Sequence, residues 1–519
     1  MPQTNTSRSA ILKISLFATG LSGIVAEYIL STLASYFLGD SVFQWTIILS
    51  LMLFSMGLGS RITQFIQNDL LFYFIMIEFS LSLLVSFSAM SVYLVSGFTV
   101  YTPVIIYALS ICIGLLIGLE IPLVTRLNQA YEVLRVNIAS VMEKDYYGSL
   151  VGGVFFAFVG LPYLGLTYTP FVLGAVNFSV ALMVYFKLNN LIGKKNLWTA
   201  QIMGVFCFLA ISVGGYFAEP IIFFGEQRKY KDKVIFQHQS RYQHLVITQW
   251  QNNYWFFIDG SQQFCTLDEV MYHEPLVHPV MTAHLYPQDI LVLGGGDGLV
   301  ARELLKYPSV KSITIVDIDK DITDLAKTHP VFLKVNQKAM LDKRVKIINQ
   351  DAFQFLANTS QFFDIIICDL PDPRNIELNR LFSQEFYGFC FRQLRPEGLL
   401  ITQAGSPYYA TKAFKCIDLT LQHVGFSTLP MHNQILTMGE WGFLIGSKKI
   451  VDRPTLKKRF QNLRFDHIDT QFLTQEAMLQ MTSFGKLNVF ISPDELIEIN
   501  TLQNPVLYRY YLKGSWDLY

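Results

Sequence analysis

Charge is scarce in this 519-residue chain. Lys, Arg, Asp and Glu together make up 15% of it, 40 basic against 40 acidic, so the formal net charge is zero. A neutral balance gives no ground for a nucleic-acid partner, whose phosphates select basic surfaces. Cysteine is also sparse: six residues, scattered with no C-x-x-C pair, which indicates neither a disulfide framework nor a zinc site. The nine histidines lack metal-ligand spacing. His273 and His278 stand five apart with nothing metallic between them, so no metal is expected. No internal repeat or low-complexity linker is visible, and the length exceeds what one ordinary core organises, so two or more domains are expected.

What the chain has in excess is apolar sequence, 51% of residues, distributed unevenly. Up to about Phe224 charges are few and apolar runs dominate; beyond it the composition is that of a soluble α/β protein. Seven runs, near 11–38, 42–66, 70–96, 100–123, 147–165, 169–188 and 198–224, are each long enough to cross a hydrocarbon core, which takes roughly 20 helical residues. Residues 1–225 therefore read as a membrane domain with about seven transmembrane helices, multi-pass in the inner (cell) membrane. The first run is too long for a cleavable signal peptide and lacks a small-residue cleavage site.

Arg8, Lys13, Arg61, Arg126, Arg135, Lys144, Lys187, Lys194 and Lys195 cluster before span one and after spans two, four and six, which puts the N-terminus in the cytoplasm. Seven spans would then leave the C-terminal part outside. A domain using a cytosolic metabolite belongs in the cytoplasm, where the catalytic part is expected, and that requires one re-entrant segment or a different charge reading. Glu27, Glu78 and Glu120 lie within or at the edge of spans. Carboxylates there either line a path for a polycation or bond to a neighbouring helix.

The remainder divides into a small β subdomain (226–285), an α/β domain (286–447) and an extension (448–519). H-L-V-I-T-Q and Y-W-F-F-I-D read as antiparallel strands, and D-E-V-M-Y-H-E-P as a helix start. Strands at 290–294, 312–317, 345–349, 363–369 and 398–403 alternate with helices, which makes a mostly parallel, doubly wound sheet with ligands at its C-terminal strand ends. Acids stand at those ends. L-V-L-G-G-G-D-G places Asp297 in a glycine turn where a dinucleotide site would hold a pyrophosphate, so a cationic ligand such as a sulfonium or an amine is indicated. Asp317 ends the second strand, where a ribose-binding acid belongs. Asp351 follows the third, and Asp369 and Asp372 follow the fourth in C-D-L-P-D-P. One such acid is ordinarily a turn former or helix cap; four successive strand ends describe a nucleoside pocket beside an anionic cleft.

G-G-G-D-G, Y-Q-H-L-V-I, I-D-G-S-Q-Q-F-C-T-L-D-E-V-M-Y-H-E and D-L-P-D-P, in this order, resemble the spermidine synthase (polyamine aminopropyltransferase) family. The apolar N-terminal part, D-Y-Y-G-S-L-V-G-G and G-E-W-G-F resemble its integral-membrane bacterial branch. The resemblance implies a Rossmann-like, class I methyltransferase-type domain behind a multi-pass α-helical membrane domain and a small N-terminal antiparallel β subdomain. It implies aminopropyl transfer from decarboxylated S-adenosylmethionine, a co-substrate with no further cofactor, to a polyamine. Putrescine is the first candidate acceptor, and methylthioadenosine is released.

By motif, Asp369 would be the catalytic base. Tyr272, His273, Asp297 and Asp372 would bind the polyamine. Gln243, Gly294, Gly296, Asp317, Asp351 and Ala352 would hold the nucleoside. The family also implies a possible homo-oligomer; the other partner is a lipid bilayer.

Departures from the family pattern bear on the acceptor. Leu436 stands where the soluble enzymes commonly carry a Tyr, followed by Glu440 and Trp441, and R-N-I-E-L-N after Pro373 lacks the usual second proline. The aromatic end of the tail (Tyr508, Tyr510, Tyr511, Trp516, Tyr519) reads as packing surface. Two other classes compete: a methyltransferase using intact S-adenosylmethionine on the same fold, and a non-enzymatic polyamine- or nucleoside-binding sensor or transporter, motivated by the intramembrane acids.

Overall fold

The computed structural model describes residues 2–38, 41–99, 101–485 and 496–516, of which 2–7 by backbone alone; Tyr519 lies outside the described residues. The chain divides into two compact units, Met1–Val234 and Ile235–Tyr519. The joint falls just after the charged stretch 226–233, where the last long helix ends at Gln227 and the first strand begins at Lys233.

The first unit is helical: α1 (Pro2–Leu38), α2 (Ser41–Ile62), α3 (Leu70–Ser96), α4 (Thr102–Asn128), α5 (Leu134–Phe155), α6 (Gly165–Leu188) and α7 (Lys194–Gln227), with a π-helical stretch at Phe156–Leu164. Six helical stretches among the described residues are long and apolar enough to cross a membrane. The fifth and sixth expected runs fall inside one 58-residue stretch, Leu134–Leu191. Gly165, at φ +62, bends that stretch where α6 begins.

Small residues set the helix contacts. Gly114 and Gly118 of α4 lie on Met52 and Met56 of α2, Gly148 and Gly152 of α5 on Phe17 and Leu21 of α1, and Gly204 and Gly214 of α7 on Phe79 and Phe87 of α3. In each pair the two helices run in the same direction. Such backbone-close packing needs residues without bulk; a Cβ on Gly118 would fall 2.1 Å from the Met56 carbonyl oxygen. Glu78 is fully buried and accepts the Thr19 hydroxyl (3.1 Å), the neighbouring-helix bond expected for such an acid. Glu120 is also fully buried, and neither of its oxygens has a hydrogen-bond partner among the described residues. Glu27 is nearly buried.

The second unit opens with β1 (Lys233–Gln239), β2 (His244–Trp250), β3 (Asn253–Ile258) and β4 (Ser261–Cys265), an antiparallel sheet in chain order. Then α8 (Val270–Ala283) leads into β5 (Asp289–Gly294), α9 (Leu299–Leu305), β6 (Ser312–Asp317), α10 (Lys320–Thr328), α11 (Pro330–Val335), β7 (Val345–Asn349), α12 (Ala352–Asn358) and β8 (Phe363–Asp369). After these come α13 (Ile376–Asn379), α14 (Gln384–Gln393), β9 (Leu394–Gln403), α15 (Thr411–Val424) and the hairpin β10 (Ser427–Ile435) and β11 (Gly439–Ser447). The extension adds α16 (Arg453–Gln461), α17 (Gln475–Met481) and α18 (Leu507–Leu512).

The large sheet has the order β10-β11-β9-β8-β5-β6-β7, parallel from β9 to β7 and antiparallel at β10 and β11. Helices cover both faces, so the central strands are continuous apolar runs: Ile290–Leu293 and Ile365–Cys368 are entirely buried, as parallel sheets require. One core runs from the small sheet into the large one, through Leu245, Ile247, Phe256 and Phe264 to Leu276, Val292 and Ile367.

Candidate active site

The chain leaves the sheet at β7 and re-enters as β8 on the other side of β5. The crevice outside the C-terminal ends of β5 and β8 is therefore the topological switch point, where ligands of such sheets bind. Gly294 pairs with Asp369 there. Its φ is +80, and an added Cβ would fall 2.0 Å from the Asp369 carbonyl oxygen, so only glycine fits. At Gly296 a Cβ would meet Asp317 Oδ2 at 2.5 Å, and the Gly296 N–H donates to that oxygen (3.1 Å).

Helix α8 delivers Tyr272 and His273, both buried. The Tyr272 hydroxyl donates to Asp369 Oδ1 (2.8 Å). His273 Nδ1 lies 2.9 Å from both the Glu269 carbonyl and Glu269 Oε2. Arg302 of α9 grips Glu269 with two bonds (2.7 and 2.9 Å). Burial alone would lower the imidazole pKa, but the Glu269 bond and charge, with Asp297 and Asp369, lift it to about 9. His273 is therefore a cation at neutral pH. Asp297, whose Oδ1 accepts the Leu299 N–H (2.9 Å), is raised by burial and held back by His273. Asp369 is pushed up to about 6 by burial and by the charge of Asp297, with His273 and the Tyr272 bond opposing. The imidazolium thus keeps two neighbouring carboxylates ionisable where water is largely excluded.

Asp317 at the end of β6 accepts the N–H groups of Gly296 and Asp319 (3.1 and 2.8 Å), and burial pushes it up to about 7. Gln243 does not reach Asp317. Its amide donates to Asp319 Oδ2 (3.0 Å), as does the Ser240 hydroxyl (2.6 Å). Asp351 caps α12 by accepting the Gln354 N–H (2.9 Å) and pairs with Arg380 (2.5 Å); Ala352 beside it is buried.

Asp372, beyond β8, accepts the Tyr511 hydroxyl (2.7 Å) and the Gln403 amide (3.3 Å), with Arg374 at 3.5 Å. It lines a cavity of about 380 Å³ with Arg374, Met438, Trp441, Tyr511 and Trp516 among others. Tyr511 and Trp516 do pack together, ring centroids 4.7 Å apart, but the expectation of a tail that only packs is corrected: both face this cavity. Leu436 is two-thirds exposed, whereas Trp441 is buried on the cavity wall.

The profile of the Spermine/spermidine synthase domain family matches residues 269–457, the span that carries Tyr272, His273, Asp297, Asp317, Asp351, Asp369 and Asp372 but not Gln243, Tyr511 or Trp516. Polyamine aminopropyltransferase 2 of Aquifex aeolicus is 40% identical over 508 residues, 98% of this chain and 99% of that protein. The chain belongs to the polyamine aminopropyltransferase family. It is a transferase of that family, and the polyamine aminopropyltransferase of Oceanobacillus iheyensis is similarly related, 36% identical with 99% and 98% of the two chains covered. A solved spermidine synthase in complex with the transition-state analogue AdoDATO is 27% identical, covers 49% of this chain and 86% of its own, and superposes with a TM-score of 0.43.

Several side chains of this aminopropyltransferase were not singled out in the sequence: Glu269, Arg302, Asp319, Arg380, Gln403 and the hydroxyl of Tyr511. Asp319 had a signal, two residues after Asp317 in the same strand-end run, and Glu269 lies inside the quoted D-E-V-M-Y-H-E. Arg302 stands five residues after Asp297, on the helix that follows the glycine turn, and Arg380, Gln403 and Tyr511 come from other elements. The fold also gathers Glu274, His278 and Glu303, whose ligand atoms lie within 4.8 Å of one another. Each is already engaged. Glu274 accepts the N–H groups of Gln471, Phe472 and Leu473 (2.7–2.9 Å). His278 bonds Glu303 and Tyr307 (2.9 and 3.0 Å), and Glu303 also takes Arg302 and Lys306 (2.8 and 2.7 Å). Burial would raise Glu303, but these donors hold it at about 2. That chemistry is a structural tie between α8, α9 and the extension.

Proposed function

We propose that the enzyme transfers the aminopropyl group of decarboxylated S-adenosylmethionine to a diamine, putrescine first, and releases 5'-methylthioadenosine. The observation that carries this is the trio Asp297, Asp369 and His273 at the switch point, with Tyr272 bonded to Asp369. The electrophile is a carbon bearing a sulfonium leaving group, so no general acid is required. The incoming amine resembles Lys in basicity and is protonated near neutral pH. It must lose a proton and align with the carbon–sulfur bond.

Asp369 takes that proton, directly or through water, as the new nitrogen–carbon bond forms and the carbon–sulfur bond breaks with its electron pair going to sulfur. Tyr272 fixes the rotamer of the base. His273 keeps Asp369 and Asp297 from both taking up protons in the buried crevice. Asp297 attracts the aminopropyl ammonium and repels the additional carboxylate of intact S-adenosylmethionine, which is discrimination by an unfavourable contact. On the nucleoside side stand Asp317, which takes the Gly296 N–H, Gln243 through Asp319, and Asp351 with Ala352 just beyond β7.

The test is methylthioadenosine release by the purified full-length chain given the decarboxylated donor and a panel of amines, beside the intact donor. Turnover confined to the decarboxylated donor is the expected result. Methyl transfer from the intact donor, or tight binding without turnover, overturns the proposal.

The helical unit is proposed to cross the cell membrane. Six long apolar stretches support this, as do the large apolar side chains it turns outward, among them Phe54, Phe158, Phe206 and Tyr216, since contiguous exposed apolar surface marks an interaction face. The catalytic unit is assigned to the cytoplasm, where its nucleoside donor is made. A reporter fused to the C-terminus should be protected from externally added protease in whole cells; cleavage there reverses the assignment.

A further inference from the structure

Asp372 is held from three parts of the chain. Gln403, ending β9, donates to Oδ1 (3.3 Å) and to the Leu370 carbonyl (2.7 Å). Arg374 stands 3.5 Å from Oδ2. The third neighbour comes from the extension, 139 residues away: the Tyr511 hydroxyl donates to Oδ2 at 2.7 Å. Tyr511 is itself fastened. The Trp516 indole N–H donates to its carbonyl (2.7 Å), and the Ser515 N–H donates to the Tyr409 carbonyl (2.7 Å). Its ring passes over Gly405, where an added Cβ would already be 3.4 Å away. A terminal helix of six residues is thus clasped against the strand ends and forms one wall of the 380 Å³ cavity.

We propose that Tyr511 is a positioning residue for the acceptor amine, and that it and Arg374 restrict the acceptor to a diamine. This rests on the aminopropyl-transfer reading above. A carboxylate offers about four lone-pair directions. The Tyr511 hydroxyl and the Gln403 amide take two of them, and the Arg374 guanidinium, 3.5 Å from Oδ2, crowds that oxygen further, which leaves room for a single ammonium at the far end of the acceptor. Met438, Trp441, Tyr511 and Trp516 give the cavity apolar and aromatic walls suited to a methylene chain, with ring faces that tolerate a cation. The Arg374 guanidinium on the same wall repels a further ammonium, which a longer triamine would bring. Trp441 of this wall lies in the G-E-W-G-F run, whereas Tyr511 and Trp516 come from the tail beyond the matched residues 269–457.

The experiment is steady-state kinetics on the full-length chain with putrescine and with spermidine as acceptors. Tyr511→Phe keeps the ring on Trp516 and removes one hydrogen bond to a charged group, a change of about tenfold. KM for putrescine should rise by about that factor, while kcat and KM for the decarboxylated donor move less than about twofold on the same scale. Arg374→Gln should raise the kcat/KM of spermidine relative to putrescine by about tenfold. An unchanged putrescine KM in Tyr511→Phe overturns the positioning role. A parallel rise in both KM values overturns it as well, since general loosening of the fold would do that. Wild-type protein that transfers nothing refutes the aminopropyl-transfer reading itself, an outcome distinct from active protein whose variants behave alike.

Discussion

Replacing Asp369 by asparagine exchanges one carboxylate oxygen for an amide NH2 at the switch point and leaves the shape intact. Tyr272 can still donate to the remaining oxygen, now 2.8 Å away, so the crevice should keep its geometry. Two consequences follow from opposite sides of the same charge. General-base catalysis contributes about 10²–10⁴ in rate, and kcat should fall by that range. Stability should move the other way. The folded carboxyl is raised to about 6 against about 3.9 in an unfolded chain, so the fold favours its protonated form. The stability linked to it is fully present below about pH 4 and is lost as pH rises through 6.

At pH 8 the ionised Asp369 therefore costs the unliganded enzyme about 3 kcal/mol, which Asp369→Asn removes. Thermal unfolding of the purified chain should show the variant several degrees more stable than wild type at pH 8, and level with it near pH 4. Methylthioadenosine release measures the rate. A variant that loses less than about tenfold in kcat would remove Asp369 from the role of base. A variant no more stable at pH 8 than at pH 4, relative to wild type, would show that the charge is not strained in the free crevice.

Three further outcomes are expected. Glu269→Gln removes the main upward pull on His273, so the imidazole loses its charge at lower pH and Asp369 rises in turn. The acid limb of kcat/KM, expected near pH 6 in wild type from the raised Asp369 carboxyl, should shift to higher pH; an unmoved limb would mean that His273 does not influence the base. Gly294→Ala forces a side chain into φ +80 and onto the Asp369 carbonyl, and should cost more than about 1 kcal/mol; denaturation midpoints at wild-type level would contradict that contact. Glu120→Gln should leave the unfolding temperature and turnover unchanged or slightly raised, because its oxygens have no partner to lose and a neutral amide is cheaper to bury than a charge. A large loss of stability there would reveal a bound partner.

The site was legible in outline because its acids sit at the ends of strands, and strands announce themselves by short apolar runs followed by glycine or turn residues. Expected strands at 290–294 and 345–349 recur as β5 and β7 within a residue. The β10–β11 hairpin was not anticipated. Its first strand, S-T-L-P-M-H-N-Q-I, carries Pro430 and five polar residues, a pattern tolerated only because β10 lies at the sheet edge, where a missing N–H does no harm. The fifth and sixth apolar runs, read as separate spans, are joined in the structure into one stretch from Leu134 to Leu191 that bends at Gly165.

By itself, the sequence determined the division into an apolar helical part and an α/β part, the row of acids at the strand ends, and the negative charge of Asp297 where a dinucleotide site would hold a pyrophosphate. Those features are local, and residue type with short-range periodicity decides them. The tertiary structure alone decided which groups meet: Tyr272 with Asp369 across 97 residues, Arg302 with Glu269 across 33, and Tyr511 with Asp372 across 139. The charge on His273 and the reluctance of Asp369 to ionise arise from these meetings and from burial. Both depend on the three-dimensional surroundings of a side chain, which no local pattern in the chain encodes.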